Sequence, residues 1–265
     1  MPSSICSAIS LLALADSLYS CGNYYEAITE YRRYLFFDPS GSGAGYAWYR
    51  IGLSYRKMGE FGRALEAFKE ARMYADTEDE RERYRIEEAL VLMAQGRWEP
   101  AQVSLLHVAT FCRDPALRRR ARCLLGVSHL YRFNWEEAER CLSSCLSPGD
   151  PRLERIRVLL GKGRSLELKS PKKAKLLSTF LPGLGQIYAG DWGAGLNALA
   201  LNCLTSYLWG RSLLKGRYLD AAFWFTSLFL RYYKGNRFRA EKLAKERNLK
   251  FQRKLAEEIL EILGR

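Results

Sequence analysis

Residues 48–71 read WYRIGLSYRKMGEFGRALEAFKEA, and this stretch decides the fold. Trp48, Ile51, Gly52 and Tyr55 recur at three- and four-residue steps and so share one face of a helix. Gly59 then offers the left-handed backbone that ends a helix. Phe61, Ala64, Phe68 and Ala71 return to helical spacing and make the facing stripe of a second helix. The small Gly52 lets the two helices approach closely. One such pair cannot bury its apolar face, so it needs neighbours stacked on either side.

The neighbours are present at a constant step of 37 residues. Ala27, Ala64, Ala101 and Ala138 form one series. An aromatic precedes each by three: Tyr24, Phe61, Trp98 and Trp135. A large side chain follows each by four: Tyr31, Phe68, Leu105 and Leu142. The small partners are Ala15, Gly52, Ala89 and Gly126. Gly22, Gly59 and Gly96 continue the register, with Phe133 in the fourth place. The pattern predicts an all-α solenoid of four helix pairs.

These residues resemble the tetratricopeptide repeat. Trp48, Ile51, Gly52, Tyr55, Gly59, Phe61, Ala64, Phe68 and Ala71 occupy its consensus positions, and Pro39 fits the proline that ends a copy. The usual period is about 34, so each copy here carries extra loop residues. The third copy departs from the pattern, with Arg85 and Glu88 at usually apolar places. The resemblance covers residues 8–146 and implies protein recognition on a concave face, where Arg32, Arg56 and Arg72 are candidates. Residues 152–168 are expected to add a capping helix, which closes a domain at 1–168.

The chain has 265 residues and a net charge of +13, with 48% apolar and 27% charged residues. That composition excludes a disordered or low-complexity chain. Seven cysteines are too few for a disulfide-framework miniprotein. The positive charge is local. Residues 152–175 and 234–254 each hold nine Lys or Arg against two Glu, a net of +7 apiece. The segment between them is the most apolar of the chain. Cations flanking an apolar stretch point to a membrane rather than to nucleic acid.

Within that stretch, Trp192 to Gly210 gives 19 uncharged residues, near the roughly 20 that span a bilayer. Leu176 to Gly190 is broken by Pro182, Gly183, Gly185 and Gly190, as in a short or re-entrant helix. Ala221 to Leu230 is a third run of 10 uncharged residues, too short to span without help from its flanks. A buried helical hairpin in a soluble domain is the competing reading, because Asn197 and Asn202 interrupt the second run. Ser170-Pro171 marks the start of a helix. The expected organisation is an apolar membrane hairpin at 169–233 and a basic amphipathic helix at 234–265.

The motif Pro182-Gly183-x-Gly185-Gln186-x-Tyr188-x-Gly190 is similar to that of small bacterial two-transmembrane hairpin domains. Tyr233, Gly235, Asn236, Ala240, Ala244 and Asn248 look like the tail of envelope proteins that join tetratricopeptide repeats to this hairpin. The resemblance implies a bacterial membrane address and no established activity. Lys172, Lys173, Lys175, Arg237, Arg239 and Lys242 are the expected contacts with the membrane surface.

Little else points to chemistry. The glycine motif lacks the preceding strand and the Lys-Ser/Thr of a phosphate cradle. His107 and His129 have no metal-ligand spacing with carboxylates, and His129 falls at a repeat core position. Cys145 is a core position four residues from Cys141. Cys112 and Cys123 can face each other across adjacent helices, with burial as small apolar residues the expected role. Asp191 and Asp220 end apolar segments. No nucleophile–base arrangement is visible, so neither an enzyme, a cofactor, a small-molecule substrate nor a nucleic-acid partner is expected.

The expected partners are a protein on the concave face and the lipid bilayer. The leading function is a membrane-anchored adaptor of the bacterial cell envelope. The alternatives are an accessory factor for membrane-protein insertion or envelope assembly, and a soluble nucleic-acid-binding repeat protein. Ile5–Ala15 reads either as a short signal peptide ending at Ala13-Leu14-Ala15 or as the first repeat helix. The first reading places the repeats in the periplasm. The second, with the basic flanks, places them in the cytoplasm.

Overall fold

The computed structural model describes residues 2–147 and 149–264, with side chains from residue 10 onward. The expected signal segment at 1–15 therefore falls partly outside the described residues. The chain divides into two units, 1–160 and 161–265. All regular structure among the described residues is helical.

The first unit holds four helix pairs. These are α1 (Pro2–Ser20) with α2 (Tyr24–Phe37), and α3 (Ala44–Lys57) with α4 (Phe61–Met73). Next come α5 (Glu78–Ala94) with α6 (Trp98–Phe111), and α7 (Pro115–Tyr131) with α8 (Trp135–Cys145). Each helix packs on the next in order. A ninth helix, α9 (Pro151–Arg164), follows them, and the division between units falls within it. Its Leu153, Ile156 and Leu160 are buried.

The turns inside the pairs obey the left-handed requirement. Gly22, Gly59 and Gly96 have φ of 84°, 78° and 72°. In the fourth pair Phe133 adopts φ 60° without the freedom of glycine. Ala27, Ala64, Ala101 and Ala138 are fully buried, as are Ile51 and Phe68. Gly52 and Tyr55 are also buried, whereas Trp48 and Phe61 are only half-buried at the margin of the same cluster. Gly52 is small for a reason: a Cβ there would lie 2.7 Å from the Phe68 ring.

The second unit starts with α10 (Pro171–Phe180), α11 (Leu184–Tyr188) and α12 (Trp192–Leu214). A run without interruption follows: α13 (Tyr218–Phe223), a π-helical stretch at Trp224–Phe229, and α14 (Leu230–Gly264). The third apolar run and the basic tail are thus consecutive turns of helix. Small side chains form the core here, namely Ala174, Ala189, Ala240 and Ala244, which lets backbones approach closely.

The expected membrane spans are not found as such. Among the described residues no helix is both long and apolar enough to cross a membrane. α12 has 23 residues, but Asn197, Asn202, Thr205 and Ser206 dilute its apolar character.

Candidate functional site

The first helices of the four pairs carry a strap of polar groups. On α1, the Asp16 carboxylate accepts hydrogen bonds from the Tyr31 and Tyr46 hydroxyls and from Arg50 Nε, the last at 2.9 Å. The Tyr31 hydroxyl also accepts from Arg50 Nε at 2.9 Å. The Arg50 guanidinium lies 3.9 Å from the centre of the Tyr19 ring. Burial, then the bond to Asp16, pushes the Tyr46 phenol up to about 12. Tyr31 is raised further for the same two reasons. Both therefore remain neutral donors at physiological pH.

The strap continues across α3, α5 and α7. The Tyr49 and Tyr84 rings stack at 4.9 Å. Glu87 of α5 is buried and ion-paired to Arg56 of α3 and to Arg120 of α7, the latter at 2.8 Å. One carboxylate thus ties three consecutive first helices together. Glu82 and Glu88 of α5 are also buried. Glu82 faces Arg85 at 3.5 Å and His107 Nδ1 at 3.4 Å, and Glu88 faces Arg72 at 3.7 Å.

This explains the irregular third copy. Glu88 stands at an apolar consensus place because its ion pair to Arg72 of α4 replaces an apolar contact there, while Arg85 pairs within α5 with Glu82. It also corrects the expected partner surface. Arg56 and Arg72 are engaged by the buried acids of α5, and Arg32 donates to the Tyr55 hydroxyl at 3.0 Å. Buried carboxylates need such partners, so Arg56 and Arg72 serve the solenoid itself, while Arg32 remains exposed. Tyr46 is 37% accessible, and the side chains of Arg120, His107 and Asp16 are 46%, 43% and 36% accessible. Sequence reasoning placed Tyr31 in the core series without its hydroxyl's bonds, and missed Asp16, Tyr46 and Glu87. The available signal was acid at core positions of α5, with arginines one repeat away on both sides.

A cavity of about 330 Å³ lies beside the start of α7, lined by Arg118, Arg119 and Arg122 and by the end of α8. Arg119 Nε donates to the Cys145 carbonyl at 2.6 Å. Cys145 is buried at its expected core position, and Cys123, expected to be buried as a small apolar residue, forms a disulfide with it at a Cα separation of 5.4 Å. Cys112 is buried alone, and burial raises its thiol pKa. Facing helices α7 and α8 bring Cys123 to Cys145 rather than to Cys112. His129 is half-buried at the expected place, with its imidazole pKa lowered by burial. Among the described residues no group of His, Cys, Asp or Glu could hold a metal ion.

In the second unit the hairpin motif builds a polar centre. Gln186 is fully buried; its Oε1 accepts from Ser178 Oγ at 3.0 Å, and its Nε2 donates to the Asn236 carbonyl at 3.2 Å and to Asn236 Oδ1. Gly185 N donates to the same Ser178 hydroxyl at 3.1 Å. Tyr188 accepts from Ser170 N at 3.1 Å, while Ser170 also caps α10. Gly183 adopts φ 103°, and a Cβ there would lie 2.3 Å from the Gly195 carbonyl oxygen. Gly190 sits under Arg247, which donates to the Ala189 carbonyl at 2.9 Å. Pro182 stands in the break between α10 and α11. The motif therefore clamps α10, α11, α12 and α14 around hydrogen-bonded Gln186.

The basic residues divide by role. Lys172, Lys173 and Arg239 are exposed. Lys175 pairs with Glu241 at 3.2 Å and Lys242 with Glu246 at 3.7 Å. Arg237 is half-buried over the Tyr233 ring. Asp191 caps α12 by accepting from Ala194 N at 2.8 Å, and Asp220 pairs with Arg217 at 2.6 Å.

The helix pairs and their left-handed turns define a tetratricopeptide-like solenoid, a class that mediates protein–protein interaction. Residues 45–77 match the tetratricopeptide repeat family. Among solved structures, a tetratricopeptide repeat protein from Parabacteroides merdae ATCC 43184 is similar in fold. It is 13% identical with a TM-score of 0.52, over 96% of this chain and 99% of that chain. Pseudomonas aeruginosa pilF is 18% identical with a TM-score of 0.46, over 90% of this chain and 99% of that chain. No curated protein matches the chain significantly.

Proposed function

We propose that this chain is a membrane-anchored tetratricopeptide adaptor of the bacterial cell envelope. The repeats hold a protein partner, the hairpin at 169–233 sits in the lipid bilayer, and the basic helix at 234–265 lies at the membrane surface. One observation carries the anchoring: α12 is inverted. Its buried positions are Gly195, Asn202 and Thr205, whereas Leu196, Leu204 and Tyr207 are exposed. Water favours the opposite arrangement, while small and polar residues inside with apolar ones outside suit helices packed in lipid. The average hydropathy of α12 mixes these two faces, so its outward surface is more apolar than the helix as a whole. Phe180 and Leu219, 80% and 89% exposed, extend the apolar surface. Exposed Lys172 and Lys173 suit the headgroup region.

The repeats offer a partner the arginine-lined cavity at α7, with Arg118 and Arg122 in its lining. Donors and positive charge favour an acidic peptide. Fractionation tests the anchoring: the full chain should sediment with membranes and leave them only with detergent. Recovery in the soluble fraction without detergent would overturn it. The Cys123–Cys145 bridge favours repeats in an oxidising compartment, and the basic flanks favour the cytoplasmic face. Alkylation of these thiols in intact cells, with and without prior reduction, reads which of the two prevails.

A further inference from the structure

A cavity of about 370 Å³ opens between α12 and α14. Its size lies at the lower end of the range for small-ligand sites, about 300–1,000 Å³. Two asparagines within its lining are buried, Asn202 at 4% and Asn236 at 6% exposure. Each has one amide atom without a partner: Oδ1 of Asn202 and Nδ2 of Asn236. Buried polar groups are nearly always paired, so the two orphans point to a ligand.

The orientations of both amides are set by their other bonds. Asn202 Nδ2 donates to the Ala198 carbonyl at 2.8 Å, which leaves its oxygen free as an acceptor. Asn236 Oδ1 accepts from Gln186, which leaves its NH₂ free as a donor. A complementary ligand therefore presents a donor to Asn202 and an acceptor to Asn236. Arg231 and Arg239 stand in the same lining, one turn on either side of Gly235, and add positive charge. A Cβ at Gly235 would meet nothing within 4 Å, so a larger side chain has room at this edge of the cavity.

We propose that this cavity binds a phosphate ester with a neighbouring hydroxyl. The phosphate oxygens accept from Asn236 and the arginines, and the hydroxyl donates to Asn202. Phosphatidylglycerol and free glycerol phosphate both carry this chemistry. The lipid form rests on the membrane reading above; the free form does not. Phosphatidylcholine lacks the hydroxyl donor and brings a cation toward two arginines, so the cavity discriminates against it.

The test uses the full chain in detergent micelles, titrated with short-chain phosphatidylglycerol, short-chain phosphatidylcholine and free glycerol phosphate by native mass spectrometry. Phosphatidylglycerol should bind at least about tenfold more tightly than phosphatidylcholine, the scale of one charge-assisted hydrogen bond. Gly235→Leu fills the cavity from an open helical position and should lose that binding by about tenfold or more, with its circular dichroism unchanged. The pair Arg231→Gln and Arg239→Gln should lose a similar factor. Free glycerol phosphate binding that Gly235→Leu also removes would support the site with a soluble ligand. Equal affinity for the two lipids with no binding of glycerol phosphate, or full binding by Gly235→Leu, would overturn the proposal. Flotation with pure phosphatidylcholine and pure phosphatidylglycerol vesicles separates the two readings. A Gly235→Leu protein that floats like the parent, when the titration shows no selectivity, sinks this site alone. A parent that fails to float but binds glycerol phosphate sinks the anchoring alone.

Discussion

Replacing Gly52 by alanine probes the closest approach inside a repeat. The new Cβ would stand 2.7 Å from Phe68 Cδ1 and Cε1 and 3.0 Å from Cζ. Phe68 is fully buried, so its ring has little room to yield. Overpacking of this kind costs about 1–3 kcal/mol. Alanine also returns about 1 kcal/mol of helix propensity relative to glycine. The net expectation is a destabilisation of about 1 kcal/mol, a fall of about 2–4 °C in Tm for a chain of this size. The third repeat carries Ala89 and Leu105 at the same two places, so an Ala–Leu pair fits this frame. In a Phe68→Leu background Gly52→Ala should therefore be neutral or stabilising. The coupling between the two changes should reach about 1–2 kcal/mol, within the range for residues in contact. Thermal and urea unfolding of the four proteins, followed by circular dichroism, measures it. Equal effects of Gly52→Ala in both backgrounds, within about 0.5 kcal/mol, would refute the steric reasoning.

Three further outcomes follow from the same geometry. Gly185→Ala should disrupt the second unit by about 3 kcal/mol or more, because the Cβ would fall 2.0 Å from the Ala174 carbonyl oxygen; limited proteolysis after residue 160 reads the loss. Reduction of Cys123–Cys145, 22 residues apart, should cost the first unit about 3 kcal/mol. A double Cys123→Ala, Cys145→Ala protein should then show no response to reductant. His129 supplies the pH dependence. Burial holds its folded pKa below the ordinary value of about 6.5, so the unfolded chain binds the proton first as pH falls. Its contribution is fully present above that value and declines as pH drops toward the folded pKa. Urea midpoints between neutral and mildly acidic pH should fall, and His129→Gln should flatten the slope.

Much of the first unit was legible because its signals are local. A helix face repeats every three or four residues, and a left-handed turn needs glycine whatever packs around it. Ala64, Phe68 and Gly59 therefore announced their roles within one copy of the repeat. Even the irregular copy was visible as a departure, although its cause was not. Glu88 looked like a break in the core, whereas Glu82 and Glu87 did not stand out. All three are ion-paired to groups on their own and neighbouring helices, and only Arg85 lies nearby in sequence. The Cys123–Cys145 bridge was illegible for the same reason: adjacent helices offer several cysteine pairs, and the rotation of each helix selects one.

The sequence by itself determined the repeat period, the pairing of helices, the turns between them and the apolar, cation-flanked character of residues 176–233. Tertiary structure alone decided which side of α12 faces inward. In α12 that choice put Asn202 and Thr205 inside and Leu196 and Leu204 outside. Composition is the same for either orientation, because helical periodicity sorts residues into faces without saying what each face meets. That depends on the neighbours of α12, namely α11, the run from α13 through the π-helical stretch, and α14. The cavity beside Gly235 is likewise tertiary, since its lining comes from two helices distant in sequence.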